Sequence, residues 1–503
     1  MSDFSELNQY RNRKVEAKEM EASTKESDSI IPKNPLKILV DSIQKVDLIY
    51  TLQVKIGDPL AKYTNENGLV ESFKVPQTLY IVAIIYEILQ TAKDINLGIA
   101  VKHGVIYIFN GKYWQEIEDE EIKKVLSNIS KKLGFFSPAV ADTSDFKKKL
   151  FTQFLDSGVE EAVVPAITGK ILINLKNGTL EIDKHNVKLR EHNREDFLTY
   201  VLNYNYDAKA KAPIFTNFIN EVLPCKDTQN VLQEFIGYVF STNLKLEKVA
   251  VLYGSGANGK SVFFEVITQL MGKDNLSFKG LGDICMKGDR GNNHRAELES
   301  KLINYASELN PQGADIELFK ALVSGEPTSA RRLYKNVFTM VNTAKLIFNA
   351  NQLPKEVERT KGFFRRFLII PFDVTITEDK KDINLHNKII DTELSGVLNW
   401  AISGLKRLIE NENFTYSEAV SKAIETYKKE SSSVALFIEE ENLVPDLEGK
   451  MPNKALYNMY KEFVADAGMG KMSNINFAKE MKNLGFEAYK SGSERGFKII
   501  KRG

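Results

Sequence analysis

Apolar residues recur along this chain at several spacings, and the changes between them divide it into regions. The run Leu79-Tyr80-Ile81-Val82-Ala83-Ile84-Ile85-Tyr86, opened by Thr78, predicts a buried helix over 78–92. Residues 105–109 and 112–116 flank Asn110-Gly111, and residues 171–175 and 179–182 flank Asn177-Gly178. An Asn-Gly pair between apolar runs predicts a β-hairpin. Together these predict a small N-terminal α+β domain over 41–206. Ahead of it the polar, mixed-charge start of the chain predicts a flexible tail over 1–40, with a solvated helix as the alternative. Residues 207–213 read as a linker. Phe215, Phe218, Ile219 and Val222, then Val231, Leu232, Phe235, Ile236 and Val239, predict helix over 214–243. From 247 to 375 short apolar strands alternate with helices, the rhythm of an α/β domain with a covered sheet. Helices then continue to about 441.

Composition changes this picture little but excludes several classes. A length of 503 residues is the size of about three domains. Lys plus Arg is 68 against 67 for Asp plus Glu, a net charge of +1. That excludes a chain that is basic throughout, but not a nucleic-acid enzyme with a local basic stripe. Cys225 and Cys285 are too few for a disulfide framework or a cysteine zinc site, and they fit a reducing cytoplasm. No apolar run approaches the length of a membrane span, and Met1-Ser2-Asp3-Phe4-Ser5 does not open a secretory signal. The expected location is therefore cytoplasmic, with no membrane partner. Of the five histidines only His185 and His192 are close in sequence, at a spacing and without the cysteines that a zinc site needs, so structural or surface roles are expected.

Candidate chemistry is concentrated in Gly254-Ser255-Gly256-Ala257-Asn258-Gly259-Lys260-Ser261, a full match to G-x-x-x-x-G-K-[ST]. Val249-Ala250-Val251-Leu252-Tyr253 before it predicts a buried strand, and residues 262–271 after it predict an apolar helix ending at Gly272. That strand–loop–helix context is what a phosphate-binding loop requires. Glycines let the loop curl so that backbone N–H groups face phosphate oxygens, and the helix N-terminus adds partial positive charge. Lys260 is then expected to reach the β- and γ-phosphates of ATP, and Ser261 to ligate Mg²⁺.

Three further segments suit such a site. Residues 301–308 predict a strand running into Glu308, 48 residues after Lys260. Glu308 is the candidate carboxylate for polarising water and for the metal. Ser307 stands where many NTPases carry a second acid. The strand at 345–350 leads to Asn351, a candidate sensor of the γ-phosphate, with Asn349 as the alternative. Arg365 and Arg366 precede the apolar run Phe367-Leu368-Ile369-Ile370, and either is a candidate finger for a neighbouring subunit's phosphate.

The order and spacing of these segments, with Phe319-Lys320-Ala321-Leu322-Val323-Ser324-Gly325-Glu326 between them, resemble superfamily 3 helicases. They are most similar to the phage and plasmid primase–helicase family, which includes satellite-phage replication proteins and the poxvirus primase-helicase. Tyr107 through Trp114 and Asn177 through Leu180 are also similar to the domain that precedes the helicase there. The resemblance covers roughly 75–503. It implies a multidomain α/β protein with a P-loop AAA+-like helicase core over 214–430. It implies a homo-hexameric ring that hydrolyses ATP between subunits, translocates on single-stranded or forked DNA, and replicates a phage, plasmid or other mobile element in a bacterial or virus-infected cell. A hairpin in the pore is implied at Ala330-Arg331-Arg332-Leu333-Tyr334-Lys335-Asn336, with Lys335 as the DNA contact and Arg331 and Arg332 beside it. Many relatives carry a primase domain; no Asp-x-Asp strand or zinc ligands are found here, so no primase activity is expected, and a separate primase or initiation protein is an expected partner. The alternative is a P-loop NTPase that remodels protein or assembles on an origin without unwinding.

The last segment differs in charge. Residues 450–503 carry 11 Lys plus Arg against 5 Asp plus Glu. A helix over 453–466, a second over 474–484 capped by Ser473 with Phe477, Met481 and Leu484 inward, and a hairpin around 491–495 resemble a winged-helix module over 431–503.

Overall fold

The computed structural model describes residues 34–157, 169–307, 309, 314–353 and 362–502, with the backbone alone of 160, 161 and 361. Contacts group the chain into two compact units, Met1–Ala166 with His192–Tyr200, and Ile167–Glu191 with Val201–Gly503. Among the described residues no helix is long and apolar enough to cross a membrane.

In the first unit, α1 (Pro35–Ser42) starts where Asn34 Oδ1 accepts from Leu36 N at 2.9 Å and Pro35 takes the first turn. Leu36 and Leu39 are buried, so folded structure begins inside the stretch expected as tail. Residues 1–33 of that tail lie outside the described residues. α2 (Gln77–Asp94) buries Tyr80, Ile81, Ile84, Ile85 and Ile88. The strands β1 (Ile99–Lys102), β2 (Val105–Phe109) and β3 (Trp114–Ile117) form an antiparallel meander, with the two-residue β4 (Glu160–Glu161) parallel to β1. α3 (Asp119–Leu133) and α4 (Ser144–Asp156) complete the same core. The first hairpin is wider than Asn110-Gly111 predicts. Phe109 pairs with Trp114, and Asn110 Oδ1 accepts from Lys112 N and Tyr113 N at 3.0 and 3.1 Å. The asparagine side chain thus builds a four-residue loop in place of a two-residue turn.

The second unit opens with the meander β5 (Ile171–Leu175), β6 (Gly178–Ile182) and β7 (Val187–Arg190). This hairpin turns one residue early: Leu175 pairs with Gly178, leaving Lys176-Asn177 as the loop. Gly178 is needed for closeness, because a Cβ there would lie 2.4 Å from the Arg190 carbonyl oxygen. The expected helix over 214–243 is two, α5 (Pro213–Val222) and α6 (Lys226–Tyr238).

A five-stranded, wholly parallel sheet follows. It consists of β8 (Val249–Tyr253), β9 (Leu276–Ser277), β10 (Ile303–Ala306), β13 (Lys345–Ala350) and β14 (Phe367–Pro371), in the order β14-β8-β13-β10-β9. Continuous apolar runs such as Val249–Leu252 and Phe367–Ile370 are buried, as strands covered on both faces must be. Crossing them are α7 (Lys260–Met271), α8 (Gly288–Ala296) and α9 (Ile316–Ser324), and β11 (Pro327–Arg331) with β12 (Val337–Val341) forms a separate hairpin. The chain is therefore a mixed α/β multidomain protein with a parallel sheet.

After α10 (Leu385–Asn411) and α11 (Glu418–Glu430), the chain ends in α12 (Ser433–Glu440), β15 (Leu443–Pro445), β16 (Met451–Pro452), α13 (Asn453–Asp466), α14 (Asn474–Asn483), β17 (Ala488–Ser491), β18 (Glu494–Phe497) and β19 (Ile499–Lys501). Ser473 Oγ caps α14 by accepting from Asn476 N at 3.3 Å. Phe477 and Met481 are fully buried, which contributes about 2 kcal/mol each. Leu484 is not inward as expected: it lies past the helix end, 40% exposed.

Candidate functional site

β8 delivers the chain to Gly254 at the C-terminal end of the sheet. A Cβ on Gly254 would come within 2.2 Å of Asn258 Nδ2 and 2.5 Å of the Phe372 carbonyl oxygen. Gly259 has φ +83°, and a Cβ there would meet Val222 at 2.7 Å and Phe218 at 2.8 Å. The loop therefore presses on the body of the unit at both ends and bows outward between them. Ala257 takes φ +49°, and its carbonyl accepts from Ile376 N at 2.7 Å. Asn258 is buried and donates to the Phe372 carbonyl at 2.9 Å. Ser255 and Ser261 are exposed.

Lys260 opens α7, whose N-terminus carries no side-chain cap. Its ammonium is buried and donates to Gly254 O at 2.7 Å and Asn258 Oδ1 at 3.0 Å. Burial lowers its pKa below the ordinary lysine value. A buried cation held by neutral oxygens, an uncapped helix start and a glycine-formed cradle together suit a polyanion such as a triphosphate.

The parallel register brings other candidates to the same edge. Ala350 pairs with Tyr253, and Gly254 N donates to Ala350 O at 3.1 Å, so Asn351 emerges beside the loop. Asn351 is exposed. Ala306 pairs with Phe348, so Ser307 emerges one strand further along. Glu308 lies outside the described residues, as does Pro354. Asn349, the alternative to Asn351, is one step lower and accepts from the Tyr305 hydroxyl at 3.1 Å.

The arginines are not brought to this edge. Phe367 pairs with Val249, and Val249 N donates to Arg366 O, which places Arg365 and Arg366 at the N-terminal end of β8. Five strand residues, about 17 Å, separate that end from the loop. Arg366 is buried, donating to Gly362 O at 2.5 Å and Ser324 Oγ at 2.8 Å, with Glu247 Oε2 at 3.2 Å. Arg365 is 58% exposed and reaches the same Glu247 oxygen at 2.5 Å.

Lys345 sits at this end of the sheet with its ammonium 4.3 Å from the centre of the Tyr238 ring. Burial brings its pKa down to about 8. The unfolded chain then binds the proton more readily between about pH 8 and the ordinary lysine value, so stability rises with pH across that window. Lys345→Met should raise the unfolding temperature at pH 7, by a free energy on the order of 2 kcal/mol, less the lost cation–π contact. The gain should vanish by about pH 10 in pH-dependent thermal melts; a gain that persists there would overturn the assignment.

The β11–β12 hairpin presents its tip differently from expectation. Leu333 and Tyr334 are exposed there, Tyr334 completely, with φ +62°. Arg331 pairs with Asp289 at 2.9 Å and donates to Lys335 O at 3.1 Å. Arg332 pairs with Glu299 at 3.3 Å. Lys335 is partly buried. The buried Arg295 of α8 fastens the hairpin from beneath, donating to Ser329 O at 2.7 Å, Ile284 O at 3.0 Å and Met286 O at 2.8 Å. No sequence pattern marks Arg295, which lies in a polar helix. Leu333 and Tyr334 lie within the basic and aromatic stretch that the resemblance implies as the pore hairpin, in which Lys335, Arg331 and Arg332 are the residues expected to contact DNA.

Comparison with known proteins places these features in context. A family model described as "D5 N terminal like" matches residues 91–224. A second, described as a family of unknown function (DUF5906), matches residues 252–366. A curated relative from Acanthamoeba polyphaga mimivirus, "Putative helicase L207/L206", is 23% identical over 312 residues, covering 54% of this chain and 32% of the relative. The chain thus spans about a third of that relative's length. Among solved structures, the A-form apo NrS-1 C-terminal region (305–718) is 14% identical with a TM-score of 0.45, covering 83% of this chain and 99% of that one. A further apo structure of the same region has 14% identity and a TM-score of 0.41, covering 83% and 98%.

Proposed function

We propose that this chain is an ATP-driven, ring-forming DNA helicase of a phage, plasmid or other mobile element, proceeding from matches that fit a phage and viral primase–helicase family. One observation carries the reading. The loop, Ser307 and Asn351 share one edge of the parallel sheet, while Arg365 and Arg366 stand at the other. One chain cannot close its own arginines on its own loop, whereas a neighbouring copy can supply them.

In this reading the Gly254–Ser261 P-loop belongs to an AAA+-like core. Its backbone and Lys260 hold the phosphates of ATP, and Ser261 with Glu308 holds Mg²⁺, which neutralises developing phosphate charge when bound. Glu308 takes up the proton of the attacking water, and Asn351 donates to the γ-phosphate. Arg365 of an adjoining subunit completes the site. The hairpin offers Tyr334 and Leu333 to bases and Lys335 to phosphate. The C-terminal segment acts as a winged helix, with α14 and its basic β17–β18 wing on DNA.

Steady-state ATP hydrolysis with and without single-stranded DNA tests this. DNA should stimulate the rate several-fold, and Glu308→Gln should bind ATP but fail to turn it over. Equal rates with and without DNA, or a monomer in the presence of both ligands, would favour an NTPase that remodels protein or assembles on an origin.

A further inference from the structure

Three elements of the loop edge meet at one buried tyrosine. Tyr305 lies on β10, three residues before Glu308, and is fully buried. Its hydroxyl donates to Asn349 Oδ1 at 3.1 Å. Asn349 lies on β13, two residues before Asn351 and beside Leu252 of β8 in the register. The ring of Phe264 meets the Tyr305 ring edge-on, with centroids 4.7 Å apart. Phe264 follows Lys260 by one turn of α7. Tyr305 thus touches the helix that carries Lys260 and Ser261 and the strand that leads to Asn351, while its own strand leads to Glu308.

Packing alone does not require this hydroxyl. A phenylalanine fills nearly the same space, and a buried hydroxyl is costly unless it is bonded. Among the described residues its hydrogen-bond partner is the Asn349 amide. That bond takes the amide oxygen, and among the described residues the amide nitrogen has no hydrogen-bond partner. Asn349 is only partly buried, so its two N–H donors are left to solvent or to a ligand. Burial raises the Tyr305 pKa far above the ordinary tyrosine value, so the hydroxyl remains a donor at every working pH.

Resting on the helicase reading above, we propose that Tyr305 is a positioning residue for ATP hydrolysis. It fixes the Asn349 amide with its N–H donors turned to the γ-phosphate or the attacking water, and ties β10 to β13 near the C-terminal end of β10. Asn351 is exposed, whereas Asn349 is partly buried and bonded to Tyr305.

The experiment compares steady-state ATP hydrolysis by the full chain carrying Tyr305→Phe, Asn349→Asp or both, with Lys260→Ala as reference. Tyr305→Phe keeps the ring and its contact with Phe264, and should lower kcat about 10-fold with KM for ATP unchanged. Asn349→Asp keeps an acceptor for Tyr305 but removes the donors, and should lower kcat roughly 100-fold. The double variant should be no slower than Asn349→Asp, because the two residues act as one unit. The kcat loss in Tyr305→Phe should be the same from pH 6 to 9. Full kcat in Tyr305→Phe, a loss confined to KM, or independent additive losses would each overturn the proposal. Should Tyr305→Phe fail to fold, Asn349→Asp decides alone: an unchanged kcat overturns it. If Lys260→Ala hydrolyses ATP at the wild-type rate, the ATPase reading itself fails, an outcome distinct from failure of the Tyr305 assignment.

Discussion

Lys260→Ala should reduce ATP hydrolysis at least 10²–10³-fold, read as steady-state phosphate release. The buried ammonium rests on two neutral oxygens, Gly254 O and Asn258 Oδ1. Among the described residues no carboxylate pairs with it. A buried cation in that condition is held at a cost, and its lowered pKa is the sign of that cost. An arriving phosphate supplies the missing negative charge, so the lysine gains most when nucleotide binds. Two consequences separate this from a lysine that only holds the loop together. The unliganded variant should unfold within a few degrees of the wild type, because the lost hydrogen bonds are offset by removal of an uncompensated charge. A non-hydrolysable ATP analogue should stabilise the wild type against heat and should not stabilise the variant. The pH dependence follows the same logic. The folded chain releases the Lys260 proton at lower pH than the unfolded chain, so stability rises with pH between those two values, and ATP affinity falls across the same window. Wild-type turnover by Lys260→Ala would end the nucleotide reading.

Sequence pattern revealed the sheet well and the side-chain partnerships poorly. The run Val249–Leu252 and the apolar residues after Lys260 mark β8 and α7 because a covered parallel strand and its following helix must both be apolar. The C-terminal helices were equally legible, since Phe477 and Met481 keep one face of α14 and Ser473 caps it. The hairpins were legible as hairpins but not in register. At Asn110 a side-chain turn widened the loop, and at Gly178 a φ of +147° and close approach to Arg190 both require glycine. The meander containing Gly178 also groups with the second unit, although its pattern matches the region before it. Sequence alone could not separate Arg365 from Arg366. Their difference is made by Glu247, Ser324 and Gly362, two of them distant in sequence. The same holds for Arg331 and Arg332, which look like free positive charge until Asp289 and Glu299 come beside them. Glu308 is an expectation from the motif order alone.

Mixing two inactive variants should restore activity if the arginine acts across a subunit boundary. Arg365→Ala should lower hydrolysis about 10³-fold without affecting folding, since its side chain is mostly exposed and its surface ion pair contributes little. Lys260→Ala should be inactive for a different reason, at the opposite end of β8. In an assembly formed from both, some interfaces join the intact Lys260 of one chain to the intact Arg365 of the next, roughly a quarter under random mixing of a closed ring. Activity should return to that order, and not when each variant is assayed alone. Arg366→Ala should behave otherwise. Its guanidinium is buried against Gly362 O, Ser324 Oγ and Glu247, so removal should destabilise the fold by about 3 kcal/mol and leave Glu247 with Arg365 alone. Arg365→Lys should recover little, because a point charge does not replace the planar fork on a phosphate. Recovery with Arg366→Ala but not with Arg365→Ala would exchange their roles. No recovery with either would mean that loop and arginines never meet across two chains, and the ring would lose the geometry that argues for it.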